Sequence, residues 1–349
     1  MKKVGIITIN DNNNYGNRLQ NYAVQEVLKK INVEPITLKN EPATNTKNKY
    51  LLRKIKSFFN RGSYSKIIER KECFEDFNKN INFSSKKITP YSKLNEYDYF
   101  VVGSDQVWNP NFGRLRDVDL LEFAESRKKI SFSASFGVSK LSEEYNSKLK
   151  KDLKDFKAIS VREDAGKEII EEIVGRKDVQ VLVDPTMLLT PNEWDKIAKK
   201  PKQLKSNRYI LNYFLGELSE ERKKEIERIA KENNCEIINI LDRNSPFHQT
   251  GPGEFVYLEK NAFLVCTDSF HSCVFAILYD RPFIVFDRED SYVKMNSRLD
   301  TLLKKFNLKD RWYKNKIMKE QLKANYEEAF NILEDERRKS KKFLENAIE

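Results

Sequence analysis

Short, unbroken apolar runs recur along the chain, and most are followed by a polar cluster and then by apolar positions at helical spacing. Runs of this length, rich in Val, Ile and Phe, suit strands buried on both faces of a parallel sheet. They predict strands over 4–9, 33–38, 97–103, 129–136, 158–162 and 179–183, then over 209–214, 235–240, 263–267 and 283–286. Between them, Leu19, Tyr22, Ala23, Val27 and Leu28 mark one helical face after Asn17, and helices are predicted over 164–174 and 219–233. Strand and helix alternating in this way build a right-handed parallel sheet whose strand-end loops share one rim, where ligands bind.

The chain centres on one such unit. The run 263–267 gives way to Asp268 and Ser269, good helix N-cap types, and Val274, Ile277 and Leu278 keep the following helix apolar until Arg281-Pro282 stops it. His271 therefore falls in the first helical turn, where unpaired N–H groups favour an anion. It is one of only two histidines, the other being His248, so a group that titrates near neutral pH has few places to be. The competing reading of His271 is a polar residue at a helix start.

Composition narrows the class. At 349 residues, two domains with a core each are expected, and no apolar run is long enough to span a bilayer. The start at Met1 runs straight into a strand, which predicts a cytoplasmic protein. Cys73, Cys235, Cys266 and Cys273 lack CxxC spacing, so free thiols are expected and no metal is implied. The net charge is +11, yet residues 47–71 carry nine Lys or Arg against Glu69 alone and supply +8 of it. No aromatic residues interleave with that cluster at a stacking spacing, and a nucleic-acid partner is not expected.

The alternation breaks over 41–92. Leu51, Leu52, Ile55, Phe58 and Phe59 form an apolar stripe flanked by Arg53, Lys54, Lys56 and Arg61. Such a helix packs on its domain or lies on an anionic membrane surface. The pattern loosens again between Pro191 and Asn207, which sets the boundary between an N-terminal Rossmann-like domain (1–190, with a basic helical insertion at 41–92) and a C-terminal one (207–313). Residues 314–349, with nine basic and eight acidic side chains, read as a long terminal helix that packs back on the first domain.

Polar strand ends supply the candidate chemistry. In the first loop Asn14, Asn17 and Gln20 offer neutral groups for hydroxyls, while Asn17 equally fits a helix cap. Asp105 and Asn109 follow the third strand, and Asp184-Pro185-Thr186 ends another. Arg162 ends a further strand; its planar fork suits a carboxylate or phosphate, and ion pairing with Glu163 or Asp164 is the alternative.

Taken in order, Asn14-Tyr15-Gly16-Asn17-Arg18-Leu19-Gln20-Asn21-Tyr22-Ala23, Val102-Gly103-Ser104-Asp105-Gln106-Val107-Trp108-Asn109-Pro110, Ser160-Val161-Arg162-Glu163, Asp184-Pro185-Thr186 and Thr267-Asp268-Ser269-Phe270-His271 resemble the polysaccharide pyruvyl transferases. The resemblance implies an α/β fold of two Rossmann-like domains facing across a cleft, similar to the B-type glycosyltransferases. It implies phosphoenolpyruvate as co-substrate, no further cofactor, and a sugar of a capsule, exopolysaccharide or wall polymer as acceptor, often lipid-linked at the inner face of the membrane. The family's histidine maps onto His271 and its strand-end arginine onto Arg162. Several members carry Arg where this chain has Ser269, so Arg18, Arg281, Arg288 and Arg298 become candidates for the donor phosphate.

The assignment expected from these observations is His271 as general acid/base and Arg162, Ser269, Ser272 and Arg298 toward the donor. Asn14, Asn17, Asp105 and Asn109 are expected to face the acceptor. Two rivals stand beside it: a nucleotide-sugar glycosyltransferase of the same architecture, and a catalytically idle polysaccharide-binding subunit.

Overall fold

The computed structural model describes residues 1–40, 61–288 and 297–349, with backbone alone for 61–67. The stripe from Leu51 to Phe59 lies outside the described residues. Seven strands form one parallel sheet: β1 Lys2–Ile7, β2 Val33–Lys39, β3 Phe83–Lys87, β4 Tyr99–Gly103, β5 Lys129–Ala134, β6 Ala158–Val161 and β7 Gln180–Val181. Their order is β3-β2-β1-β4-β5-β6-β7, every pair parallel. Four more, β8 Tyr209–Tyr213, β9 Glu236–Asn239, β10 Leu264–Thr267 and β11 Phe283–Val285, form a second parallel sheet in the order β11-β10-β8-β9.

Ten α-helices run among the described residues: α1 Tyr15–Lys30, α2 Arg61–Phe77, α3 Asn146–Leu153, α4 Asp164–Val174, α5 Pro191–Asp195, α6 Glu220–Glu232, α7 Pro252–Asn261, α8 Phe270–Leu278, α9 Ser297–Lys305 and α10 Glu327–Ala347. None is long and apolar enough to cross a membrane. The terminal helix begins at Glu327 rather than near 314, because the stretch before it contains only a short turn of 3₁₀ helix. Strand β3 is not announced by the apolar pattern: Phe83-Ser84-Ser85-Lys86-Lys87 is a half-exposed edge whose pairing with β2 comes from tertiary placement.

Side chains alternate across each sheet, and the period of two sorts them into separate cores. Val4 and Ile6 of the large sheet and Leu211, Val265 and Val285 of the small one belong to one continuous buried cluster, whereas Ile210, Leu264, Cys266 and Ile284 face the other side of the small sheet. Helix α1 joins the two units. The Tyr15 ring stacks on Phe255 of α7 at 4.7 Å and on Phe74 of α2 at 5.4 Å, and its hydroxyl meets Thr250 Oγ1 at 2.8 Å. Arg70 packs over the same ring and donates to the carbonyls of Asn13 and His248. It is 6% exposed, so one of the cations counted in the basic stretch 47–71 is a buried strut and offers nothing to a membrane.

Helix α10 crosses back to the large sheet. Phe343 stacks beside Phe132 of β5, and Arg337 donates to the carbonyls of Met187 and Leu189. All four cysteines are free thiols, with Cys266 and Cys273 buried.

Candidate active site

Four polar side chains leave the carboxyl rim of the large sheet together. Ser104 and Asp105 follow β4, Arg162 follows β6, and Asp184 lies three residues past β7. Asp184 is their hub and is fully buried. Its Oδ1 accepts the Thr186 backbone N–H at 3.0 Å and the Thr186 hydroxyl at 2.7 Å. Its Oδ2 accepts Ser104 Oγ at 2.7 Å and Arg162 Nη1 at 2.6 Å. The same Oδ2 lies 3.7 Å from Nε2 of His271, which the second sheet supplies from the first turn of α8.

Burial alone would raise the Asp184 carboxyl, but His271, Arg162 and Thr186 outweigh it and hold the group well below the usual carboxylate range. Asp105 behaves alike: burial opposes ionisation, and Arg162, His271 and Arg298 overcome it. Asp105 Oδ1 lies 3.3 Å from Arg162 Nη2 and 3.9 Å from Arg298 Nη1. This residue adopts φ 61°, an αL conformation that Asp tolerates better than most residues.

Arg162 is anchored from both sides, because its guanidinium also rests on the Phe270 ring at 4.4 Å. Its partners are Asp184 and Asp105, not the neighbouring Glu163 or Asp164. Glu163 instead folds back to accept Ser135 Oγ and the amides of Phe136 and Gly137. Burial and the adjacent Arg162 push the Arg298 guanidinium down to about 10.

A contact with Gly16 fixes the imidazole from the other side. A Cβ built on Gly16 would fall 2.1 Å from His271 Nδ1, so only glycine lets the first turn of α1 approach the ring this closely. Nε of Arg162, Nε of Arg298 and Nε2 of His271 are all buried without a hydrogen-bond partner among the described residues. Native interiors rarely leave such groups unmatched, and three around one pair of carboxylates form a setting for an anionic ligand with oxygen acceptors.

Other expected residues are placed differently. Ser272 turns into the core, donating to Glu259 Oε1 at 2.5 Å, and does not join the donor side. Ser269 caps α8 by backbone geometry, with its side chain buried and making no cap bond. Asn109 is fully buried and spends its amide on Asn111 N and Gln106 Oε1, which removes it from any acceptor surface. Asn14 caps α1 through Asn17 N, and Asn17 reaches Asp11 at 3.4 Å, so both are engaged in their own turn. Asp105 belongs to the cationic cluster rather than to an acceptor face.

Of the four arginines raised as substitutes at Ser269, Arg298 enters the cluster. Arg18 donates to the Ile9 carbonyl, Arg281 to that of Tyr279, and Arg288 to Asp268. The sequence motifs contain Asp184, Gly16 and Phe270 without pointing to a role for any of them; the readable signal for Asp184 is its place at the end of a strand.

No curated protein matches the chain in sequence. Among solved structures it is similar to a protein described as UDP-N-acetylglucosamine 2-epimerase from Listeria monocytogenes, with TM-score 0.50, 10% identity, and coverage of 99% of this chain and 90% of that one. It is also similar to the UDP-GlcNAc 2-epimerase of Methanocaldococcus jannaschii in complex with UDP-GlcNAc and UDP, with TM-score 0.45, 16% identity, and coverage of 96% and 99%. At such identities the likeness concerns fold alone, and the fold is the B-type glycosyltransferase-like pair of parallel α/β units. The sequence model of one family, Polysaccharide pyruvyl transferase, matches residues 14–291, a span that holds Gly16, Asp105, Arg162, Asp184 and His271. With that match over most of its length, the chain belongs to the polysaccharide pyruvyl transferase family.

Proposed function

We propose that this transferase moves pyruvate from phosphoenolpyruvate onto two hydroxyls of a sugar in a polysaccharide precursor, forming a cyclic ketal. The observation that carries the reading is the shared Asp184 Oδ2, which brings Arg162 within 2.6 Å and His271 within 3.7 Å of one atom. Around it lie the unmatched nitrogens of Arg162, Arg298 and His271, donors suited to carboxylate and phosphate oxygens.

In the proposed reaction His271 gives its proton to the terminal methylene of the donor, which becomes the methyl group. The adjacent carbon takes on cationic character, and a sugar hydroxyl attacks it, returning its proton to the imidazole. The C–O bond to phosphate then breaks, the second hydroxyl closes the ring, and its proton leaves with inorganic phosphate. Acid/base help of this kind is worth about 10² to 10⁴ in rate. Asp184 and Asp105 keep Arg162 fixed, so little reorganisation is needed as charge develops.

Calorimetry with phosphoenolpyruvate, paired with phosphate release on a sugar acceptor, tests the proposal. Binding in the wild type, with turnover lost and binding kept in His271→Ala, is the expected result. Binding of uridine diphosphate with none of phosphoenolpyruvate would favour a nucleotide-sugar enzyme and overturn it.

A further inference from the structure

Beside the second sheet lies a cavity of about 660 Å³, well within the size range of small-molecule sites. It opens between α6 and the edge strand β9. Phe214, Leu218, Ile226 and Leu241 give it apolar walls, and Asn212 and Asn239 provide two carboxamides. Asn212 Nδ2 donates to Asn239 Oδ1 at 2.9 Å, which leaves Asn212 Oδ1 without a hydrogen-bond partner among the described residues. Asn212 is only 8% exposed, so this unmatched acceptor is a costly feature unless a ligand supplies the donor.

The charges narrow the ligand class. Lys223 at the rim is already bonded to Glu220 at 2.6 Å, and the other charged lining residues are Glu227 and Asp242. An acidic rim whose lysine is already paired repels phosphate, so a nucleotide or a diphosphate is disfavoured. Apolar walls with a buried hydroxyl acceptor match the amphipathic surface of a neutral sugar ring.

One carboxylate joins the cavity wall to the turn that leads into the His271 helix. Gly216 lines it, and the amides of Leu215 and Gly216 donate at 2.8 Å each to the two oxygens of Asp268. Asp268 stands three residues before His271, at the turn into α8.

We propose that this cavity holds a neutral sugar ring of the acceptor, beyond the ring that receives the ketal; the assignment to an acceptor rests on the pyruvyl transfer proposed above. Saturation-transfer NMR with N-acetylglucosamine, N-acetylmannosamine, glucose and galactose tests it on the full chain, alongside the thermal shift given by phosphoenolpyruvate. At least one sugar is expected to bind. Leu218→Trp, which fills the cavity, should abolish the signal, and Asn212→Leu should weaken binding about tenfold, the usual scale of one neutral hydrogen bond. The phosphoenolpyruvate shift should survive in both variants, which also shows that they fold.

Absence of every sugar signal, equal signals in wild type and Leu218→Trp, or binding of uridine monophosphate in place of sugars would overturn the proposal. Sugar binding without any phosphoenolpyruvate response would count against the donor assignment and leave the cavity as a saccharide site.

Discussion

Gly16 of α1 and His271 of α8 belong to helices that follow strands of different sheets, yet the imidazole lies so close to the α1 backbone that a single added methyl carbon would fall 2.1 Å from its Nδ1. The contact sets the ring in place opposite Asp184. It makes Gly16 a residue whose side chain matters by being absent.

Gly16→Ala separates this role from stability. Within a helix, Ala is favoured over Gly by about 1 kcal/mol, while overpacking costs about 1 to 3 kcal/mol, so the two effects partly cancel. The melting temperature should move by only a few degrees while turnover falls by about tenfold or more as the ring is displaced. Calorimetric melting and initial rates on the same preparation check this; unchanged turnover would remove Gly16 from the site.

Arg162 behaves as half of a buried charge cluster. Its removal takes from Asp184 and Asp105 the guanidinium they share inside the protein, and breaking such a buried pair costs about 3 to 5 kcal/mol. Urea unfolding of Arg162→Met should show a loss of that order. Asp184 adds a pH dependence, because its folded-state carboxyl lies below its ordinary value of 3.8. The stability it contributes is therefore complete above that value and is lost as pH falls through the folded-state value. Unfolding curves taken between neutral and strongly acid pH should flatten at the acid end in Asp184→Asn; an unaltered acid limb would show that Asp184 is not the group responsible.

Glu259 carries the opposite sign. It is fully buried, and burial pushes its carboxyl well above 4.5 despite the hydrogen bond from Ser272. The folded protein therefore holds a proton that the unfolded chain releases, and stability declines with rising pH between the two values by about 1.4 kcal/mol per pH unit. Glu259→Gln keeps the shape of the neutral acid and should be more stable than wild type near neutral pH, with a flatter profile. Glu259→Ala leaves a cavity and frees Ser272 beneath the His271 turn, so it should be destabilised by about 2 kcal/mol or more. Denaturation at several pH values distinguishes these cases, and a Gln variant that parallels the wild-type slope would contradict the assignment.

Much of the architecture was legible along the chain because strands and helices write local periods. The strand ends carrying Asp105, Arg162 and Asp184, and the helix start carrying His271, follow from runs of apolar residues and the breaks between them. Membership of one rim also follows, since parallel strands joined by right-handed crossovers point their carboxyl ends the same way.

Which side chains meet on that rim was decided only in three dimensions. Ser272 and His271 are adjacent in sequence, but one residue turns a helix by about 100°, so one faces Glu259 while the other faces Asp184. The hub role of Asp184, the burial of Arg70 against Tyr15 and the pairing of the polar strand β3 likewise depend on partners far along the chain. The sequence by itself determined the alternation, the strand ends and the scarcity of histidine. Tertiary packing decided which charges neutralise one another and which nitrogens are left for a ligand, because electrostatics and close contact act through distance in space and not through distance along the chain.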